Sequence, residues 1–381
     1  MDLIYLDNNA TTPVLPEVWE SMRPYAVATF GNPASAHQAG RRARQALEDA
    51  REQVAALLDA FADEVVFTSG GTEANNLAVH GLACLPGYIL TSPIEHPSVR
   101  EPVEHLRRIG CGVDTLPVDA GGIVVTAGWP VAQLRSETRL VCVMLANHET
   151  GALQPIRALA AELPANRSFH CDAVQAVGKV PVRFHELGVT TLSLSAHKIH
   201  GPKGIGALLV RRGTKLAPLH RGGHQQQGLR PGTEPVALAV GLAKALELCQ
   251  QGASARSTHV RGLRQRFLDQ LRIHAAPVVL NSPAEDNQGV PHTLNLSFPG
   301  CRADALLMNL DLAGVACSTG SACSSGSLLP SPVLQAMGVT GDVLASAMRF
   351  SLSFLLTEAE VDDAARRVTD VVRRLRNTPP N

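Results

Sequence analysis

Two hydrophobic patterns alternate along the chain between residues 60 and 210. Short apolar runs rich in β-branched residues predict strands, and stretches with helical spacing of apolar positions predict helices. One run, LVCVMLA, is apolar throughout, which is typical of a strand buried on both faces. The alternation predicts an α/β fold: a mixed, mostly parallel sheet with helices on both faces. The predicted strands lie in EVVFTSG, GYILTSP, LVCVMLA, SFHCDA, TTLSLSA and GIGALLVR.

A second region follows a long helical stretch from about Thr233 to His274. It has its own predicted strands, HTLNLSF and AMRFSLS, and a C-terminal helix from Thr357 to about Arg376. At 381 residues, the chain is longer than a single hydrophobic core usually serves. We therefore expect a large domain of residues 15–255 and a smaller α+β domain made of residues 1–14 and 256–381.

Composition narrows the function classes. With 34 basic and 34 acidic residues, the formal net charge is zero, so no direct nucleic-acid partner is predicted. No uninterrupted apolar run reaches the length of about 18 residues that predicts a membrane span, and the opening MDLIYLDNNATTP is not a signal peptide. We expect a cytoplasmic protein. The eight cysteines lack metal-site spacing and are not needed as disulfides, so no metal site is predicted.

Polar residues follow several predicted strands, and ligands of parallel sheets bind at the carboxyl ends of the strands. The segment TSGGTEANN combines a Gly-Gly turn with Thr72 at the start of a helix. Such a turn can bind an anion through backbone N–H groups, but the same pattern also caps ordinary helices. This segment alone does not decide between the two readings.

Three further strand ends carry titratable side chains: His96, Asp172 and Lys198. Each has a plain structural interpretation, since an aspartate can cap a turn and a lone histidine is commonly a packing residue. In combination they have one specific use, because a lysine can form a Schiff base with pyridoxal 5′-phosphate (PLP) while an acid faces its ring nitrogen. Lys203, in a Gly-Pro-Lys-Gly turn, is expected to be an ordinary surface lysine.

At this point the sequence resembles a known family, the PLP-dependent cysteine desulfurases of the NifS/IscS type, which have the fold type I of PLP-dependent transferases. The resemblance extends over almost the whole chain. It rests on YLDNNATT, GNPASAHQAG, FTSGGTEANN, EHPSV, NHETGALQPI, DAVQAVGK, SAHKIHGPKGIGALLVR, GGHQQQGLRPGTE, NLSFPG, STGSACSSG and MRFSLS.

The resemblance implies the cofactor contacts. Lys198 would hold PLP as a Schiff base and move protons, and His96 would stack on the pyridine ring and assist acid–base steps. Asp172 would keep the ring nitrogen protonated, and Gln175 would bond the phenolic oxygen. The phosphate would be bound by Gly71, Thr72, Ser195, His197 and, from the partner subunit of a homodimer, Thr233.

The resemblance also implies the reaction. Asn147 and Arg349 would hold the carboxylate of L-cysteine, for which a planar guanidinium is well suited. Cys323, in the small domain, would attack the substrate sulfur, leaving an enzyme persulfide and L-alanine. Its neighbours in GSACSSG are small and polar, as expected for a reactive thiol, whereas Cys317 is expected to be structural. The sulfur would pass to an acceptor such as an iron–sulfur scaffold or a tRNA-thiolation protein.

The sequence departs from the family pattern at a few positions. His148 replaces a second asparagine before ETG, Gln226 replaces a common glutamate, and Pro235 replaces a frequent asparagine. After RFSL the family usually has glycine and a second arginine, where this chain has Ser353 and Phe354. Alternative functions are a selenocysteine lyase or another fold type I lyase or aminotransferase, and a non-enzymatic scaffold. Cys323 argues against transamination, which needs no thiol nucleophile.

Overall fold

The structure is a computed structural model of the chain that describes residues 2–83, 85–126, 134–319 and 330–377. Cys84 and Cys323 lie outside the described residues.

A seven-stranded sheet forms the centre of the first part of the chain, in the order β2-β8-β7-β6-β5-β3-β4. The pairs β4/β3, β3/β5, β5/β6 and β6/β7 are parallel, and β8 is antiparallel to both of its neighbours. The predicted mixed, mostly parallel sheet is therefore confirmed. The strands are β2 (Val65–Thr68), β3 (Tyr88–Thr91), β4 (Gly112–Thr115), β5 (Thr138–Cys142), β6 (Ser168–Asp172), β7 (Thr191–Ser195) and β8 (Gly206–Val210).

Helices cover both faces of this sheet, because alternate residues of each strand point to opposite sides. On β5, Val141 packs into the larger apolar core, while Leu140 and Cys142 pack into a smaller one on the other face. The first face carries α1 (Pro16–Val27), α2 (Gln38–Leu57) and α7 (Val236–Gln250); the second carries α3 (Gly71–Leu82) and α4 (Pro97–Arg108). Two short helices, α5 (Ile156–Glu162) and α6 (Phe184–Leu187), lie in the connections.

The second part of the chain has a separate apolar core. Here β10 (Thr293–Ser297) pairs antiparallel with β12 (Ala347–Ser351) and β9 (Val279–Leu280), as an α+β unit requires. The first strand of the chain, β1 (Ile4–Tyr5), pairs with β11 (Val315–Ala316), so the N-terminus belongs to this core. The helices are α8 (Ala253–His274), α9 (Ala303–Leu312), α10 (Pro332–Ala336), α11 (Gly341–Ala345) and α12 (Glu358–Asn377).

The predicted long helical stretch before the second core consists of two helices: α7 ends at Gln250 and α8 begins at Ala253. Gly252 lies between them with a φ of 69°, in the left-handed region that a side chain disfavours. None of the helices in the described ranges has the length and apolar character needed to cross a bilayer.

Candidate active site

Side chains from three strand ends meet at one edge of the seven-stranded sheet. Asp172 is the last residue of β6, and Ser195 is the last residue of β7. His96 follows β3 and caps helix α4, and Lys198 lies in the short turn that follows β7. The parallel strands bring these residues together, since their carboxyl ends share one edge.

The carboxylate of Asp172 is held by two donors. Its Oδ2 accepts a hydrogen bond from Asn75 Nδ2 at 2.7 Å, and its Oδ1 accepts one from the backbone N–H of Val174 at 2.9 Å. Asn75 is oriented in turn by His170, whose Nε2 lies 3.0 Å from Asn75 Oδ1. Burial lowers the pKa of His170 to about 4, so the imidazole is neutral and donates to the amide oxygen.

Sequence reasoning missed Asn75 and His170. A signal for both was present: His170 is two residues before Asp172 on β6 and therefore shares its face, and Asn75 lies in the first turns of the helix that begins at the Gly-Gly motif. Neither residue type indicates a role by itself, because the contact joins a helix and a strand that are distant in sequence.

His96 is fixed in orientation by Ser98. Its Nδ1 accepts from the backbone N–H of Ser98 at 3.1 Å and lies 2.7 Å from the Ser98 hydroxyl. The imidazole proton is therefore on Nε2. Burial lowers the pKa of His96, with a smaller lowering by the charge of Lys198 and an opposing effect of Asp172. The second N–H of Asn75 donates to the Ser98 hydroxyl at 2.8 Å. Asn75 therefore links Asp172, to which it donates directly, with Ser98, which orients His96.

The amine of Lys198 points at the N-terminal segment of the chain. Its Nζ donates to the backbone carbonyls of Asn9 and Ala10, the latter at 3.0 Å. Gln175 Nε2 donates to the same Asn9 carbonyl at 3.0 Å, and its Oε1 is buried without a partner among the described residues. Asn9 therefore joins two of the predicted cofactor residues.

An anion cradle lies beside this group. Gly70 has a φ of 154°, and a Cβ placed on Gly71 would come within 2.7 Å of Val174, so only glycine fits there. The hydroxyl of Ser195 is buried and unpaired within the described part of the chain. Burial and the neighbouring lysines lower the pKa of His197 to about 4. The first turn of α3 adds backbone N–H groups and the exposed Thr72.

Two of the predicted residues already use their side chains within the protein. Asn147 Nδ2 donates to the Ile94 carbonyl at 3.1 Å, and its Oδ1 accepts from two backbone N–H groups, so it shapes the turn that follows β5. Arg349 forms a buried ion pair with Asp7, with Nη2 2.7 Å from Oδ1, and donates to the carbonyl of His148 at 3.1 Å. The Nε of Arg349 is buried and has no partner among the described residues.

Thr233 is exposed in the segment before α7, which leaves it accessible to a second chain. Cys323 lies outside the described residues. Burial raises the pKa of Cys317 to about 12, which fits a packing role for this thiol. The other described cysteines are also buried, with their pKa values raised by desolvation: Cys111, Cys142, Cys171, Cys249 and Cys301.

The residues that depart from the family pattern lie in different parts of the structure. His148 is buried against His96, with ring centroids 5.1 Å apart. Gln226 is structural, because its Oε1 accepts from the Arg51 guanidinium and from the backbone N–H of Phe67. Phe354 packs against His200, with ring centroids 4.9 Å apart.

The residues present fit PLP. The molecule carries a phosphate, a ring nitrogen that binds a proton, a phenolic oxygen and an aldehyde. The site offers an anion cradle with an unpaired Ser195 hydroxyl, a buried carboxylate at Asp172, a donor amide at Gln175 and the amine of Lys198.

The chain is similar to known proteins over almost its whole length. The family model for aminotransferase class-V matches residues 4–363. The chain is 41% identical over 382 residues to cysteine desulfurase IscS of Dictyoglomus turgidum, covering 99% of this chain and 96% of the relative. It is 42% identical over 381 residues to the putative cysteine desulfurase IscS 1 of Bacillus subtilis, covering 98% and 100%. The solved structure of a NifS-like protein superimposes with a TM-score of 0.91 at 35% identity, covering 98% of this chain and all of the other.

Proposed function

The chain belongs to the class-V aminotransferase family and is a PLP-dependent cysteine desulfurase, and we propose that Cys323 is the thiol that accepts the sulfur of L-cysteine. The observation that carries this function is the convergence of Lys198, Asp172, His96 and an anion cradle at one sheet edge. Arg349, on β12 of the second sheet, is close enough to lower the pKa of His96 through its charge, and it would be the group that binds a carboxylate.

When bound, PLP supplies an electron sink that acidifies the Cα–H of the amino acid and weakens its Cβ–S bond. Lys198 would hold the cofactor through Nζ and exchange protons at the substrate Cα. Asp172, oriented by the Asn75 amide and the Val174 N–H, would hold a proton on the ring nitrogen. Gly71, Thr72, Ser195 and His197 would bind the phosphate, together with Thr233 of the partner subunit.

His96 would move a proton through Nε2. Ser98 occupies Nδ1, and the lowered pKa of His96 keeps the ring neutral near neutral pH. A neutral imidazole with a fixed tautomer can stack on a flat ring and still exchange its one proton. This combination supports both of the functions that the sequence predicts for His96.

Arg349 would anchor the carboxylate of the substrate. The carboxylate would take over part of the guanidinium that now pairs with Asp7, while the unpaired Nε adds a further donor. Asn147 supports this site through its turn, since the carbonyl of the next residue, His148, accepts from Arg349. A direct contact of Asn147 with the carboxylate would require its amide to leave some of these bonds.

At Cys323 the thiolate would attack the substrate sulfur. The new S–S bond forms as Cβ–S breaks, and the electron pair of that bond stays with the amino-acid fragment, which takes up protons and leaves as L-alanine. Cys323 suits the role because its neighbours are small and polar, whereas each of the six cysteines in the described ranges is buried. A buried thiol with a raised pKa is a poor nucleophile.

The experiment is a peptide-level mass measurement after incubation with L-cysteine. We expect a gain of one sulfur atom on the peptide that contains Cys323. Cys323→Ser should bind PLP and release no sulfide under reductant, while the matched variant Cys317→Ser should retain activity. Full sulfide release by Cys323→Ser would overturn the assignment of the nucleophile.

The same proposal includes the oligomeric state, the cellular location, the sulfur acceptor and the division into domains. The enzyme would work as a homodimer in the cytoplasm and pass sulfur to an iron–sulfur scaffold or a tRNA-thiolation protein. The large domain would span residues 15–255, and the small domain, residues 1–14 and 256–381, would carry the Cys323 segment. Two separate apolar cores support this division.

A further inference from the structure

A cavity of about 780 Å³ lies between the two apolar cores, and its lining includes none of the residues to which we assign a catalytic role. Leu246 and Val182 line it from the first core, and Val260 and Leu352 line it from the second. Its volume is that of a small-molecule site. Ser353 and Phe354, two residues that depart from the family pattern, both lie in its wall.

The lining has an excess of positive charge. Its basic residues are Lys179, Arg183, Arg256 and Arg261, and its acid is Asp59. Arg183 and Arg261 have carboxylate partners, Glu186 and Asp286.

Within the described ranges, Lys179 and Arg256 have no carboxylate within ion-pair distance. Lys179 Nζ donates to the Lys198 carbonyl at 2.6 Å, and Arg256 donates to the Leu248 carbonyl and lies over the ring of Phe354. Burial lowers the pKa of Lys179 to about 8, as expected for an ammonium group without a counter-charge. An anion in the cavity would compensate both cations.

The N-terminus of α8 adds to this potential. Ala253 and Ser254, in its first turn, line the cavity, and no side chain caps the preceding Gly252. The first N–H groups of a helix have no partner within it, and they carry the positive end of its dipole. A helix of 22 residues therefore directs an uncapped end toward the cavity.

Two buried acceptors in the lining point to a second feature of the ligand. Asn8 Oδ1 and His292 Nδ1 have no hydrogen-bond partner in the described structure, although each residue is only 3% exposed. His292 donates through Nε2 to Asn9 Oδ1, which leaves Nδ1 as an acceptor. Asn8 donates its amide N–H to the Ser351 carbonyl. Buried acceptors without partners are costly, so a molecule that fills this cavity should carry a donor.

We propose that this cavity is a second ligand site, which binds a small organic anion that also carries a hydroxyl or amino group. Arg256, Lys179 and the start of α8 bind the anionic head. Asn8 and His292 accept hydrogen bonds from the donor. Phe354 and the aliphatic wall cover the apolar body of the ligand. A hydroxy acid and an amino acid share this chemistry.

The test uses calorimetric titration of the holoenzyme after borohydride reduction. Reduction fixes the cofactor on its lysine, so that the amino group of a probe cannot react with the cofactor in the active site. The probes are L-phenylalanine, L-phenyllactate and 3-phenylpropionate, which differ only in the group next to the carboxylate. We expect saturable binding of phenylalanine or phenyllactate, and the preferred one identifies the donor as amino or hydroxyl. Phenylpropionate should bind about tenfold or more weakly, because it leaves the two acceptors unpaired.

The matched variants lie on the same helix. Arg256→Gln should weaken binding by about tenfold or more, whereas Arg266→Gln, which loses a surface pair with Asp362 outside the cavity, should not change it. Arg256→Lys keeps the charge and should retain most of the affinity, and an unchanged absorption spectrum of the bound cofactor verifies folding of each variant. The proposal is overturned by absence of saturable binding, by equal binding of phenylpropionate, or by binding that Arg256→Gln leaves intact.

Discussion

At the scale of single residues, Asn75 connects three functional parts of the site through one side-chain amide. Its two N–H groups reach Asp172 and Ser98, and its oxygen accepts from His170. Loss of a hydrogen bond to a buried charged group costs about 1.5–3 kcal/mol. The orientation of both Asp172 and His96 therefore depends on one amide.

Replacing Asn75 by alanine should weaken PLP binding by about tenfold or more, because Asp172 then lacks a donor for Oδ2. Titration of the apoenzyme with PLP, followed by absorbance, measures this effect. Asn76→Ala is the control, since among the described residues the Asn76 side chain donates to the backbone carbonyls of Thr72 and Ser98 and has no contact with Asp172. Equal losses in the two variants would show that helix stability, and not support of Asp172, explains the result.

Lys198→Ala should abolish the absorbance band that PLP gives when it is bound to a lysine at neutral pH. Lys203→Ala should leave the band intact, because Lys203 is exposed on the next turn. Absorption spectra of the two purified proteins make the comparison directly. A normal band from the Lys198 variant would rule out this lysine as the cofactor residue.

The sequence predicts those site residues whose chemistry is visible in the residue type and its position after a strand, such as Lys198, Asp172 and His96. It does not predict Asn75 or His170, because an amide and an imidazole acquire their role here only through contacts between separate elements. The pairing of Arg349 with Asp7 is likewise invisible, since the two residues are 342 positions apart.

At the scale of elements, the junction of α7 and α8 offers a matched pair of glycines. Neither Gly252 nor Gly262 has an atom within 4 Å of the position that a Cβ would occupy. Their backbone conformations differ: Gly252 has a positive φ at the junction, whereas Gly262 is helical and lies within α8.

Gly252→Ala should destabilise the protein by about 1–2 kcal/mol, the cost of a left-handed conformation with a side chain. Gly262→Ala should stabilise it by about 1 kcal/mol, because alanine favours a helix interior. Urea unfolding of both variants tests the difference in sign. Stabilisation by Gly252→Ala would contradict the left-handed junction.

The sequence predicts this stretch as helical but does not place the junction within it. A signal for the junction was present, because the residues around Gly252 read QQGAS, which is polar and contains a glycine. Six strands of the large sheet were predicted because each is short, rich in apolar residues and followed by turn residues, and a buried sheet imposes that pattern strongly. The edge strand β4, GVDT, is partly exposed and was not predicted.

At the scale of the whole molecule, buried titratable groups should limit stability on both sides of neutrality. His170 has a folded pKa of about 4 against an ordinary value of 6.5, so the unfolded chain binds the proton first and stability falls as pH drops through this window. Glu95 is buried, and desolvation raises its pKa from 4.5 to about 8. As pH rises, Glu95 loses its proton in the unfolded chain before it does so in the folded protein, so stability falls.

Glu95→Gln should therefore remove most of the decrease in the free energy of unfolding toward alkaline pH, because glutamine resembles the protonated carboxyl at all pH values. The expected gain near pH 8 is several kcal/mol, at about 1.4 kcal/mol for each unit of pKa shift. The free energy of unfolding of wild type and variant, measured from urea curves at several pH values, provides the test. Parallel pH curves for the two proteins would mean that Glu95 does not titrate as described.

The contacts of the N-terminal segment determine when during translation the cofactor site can be completed. Asn9 receives the amine of Lys198 and the amide of Gln175, and Asn8 and Asn9 are themselves fixed by Ser351, near the other end of the chain. Residues 1–14 emerge from the ribosome before β12, but these residues can take their final place only after β12 has emerged. The large sheet can form earlier, since domains fold as units during translation. Stable capture of the cofactor should thus be one of the last steps in the maturation of each new molecule.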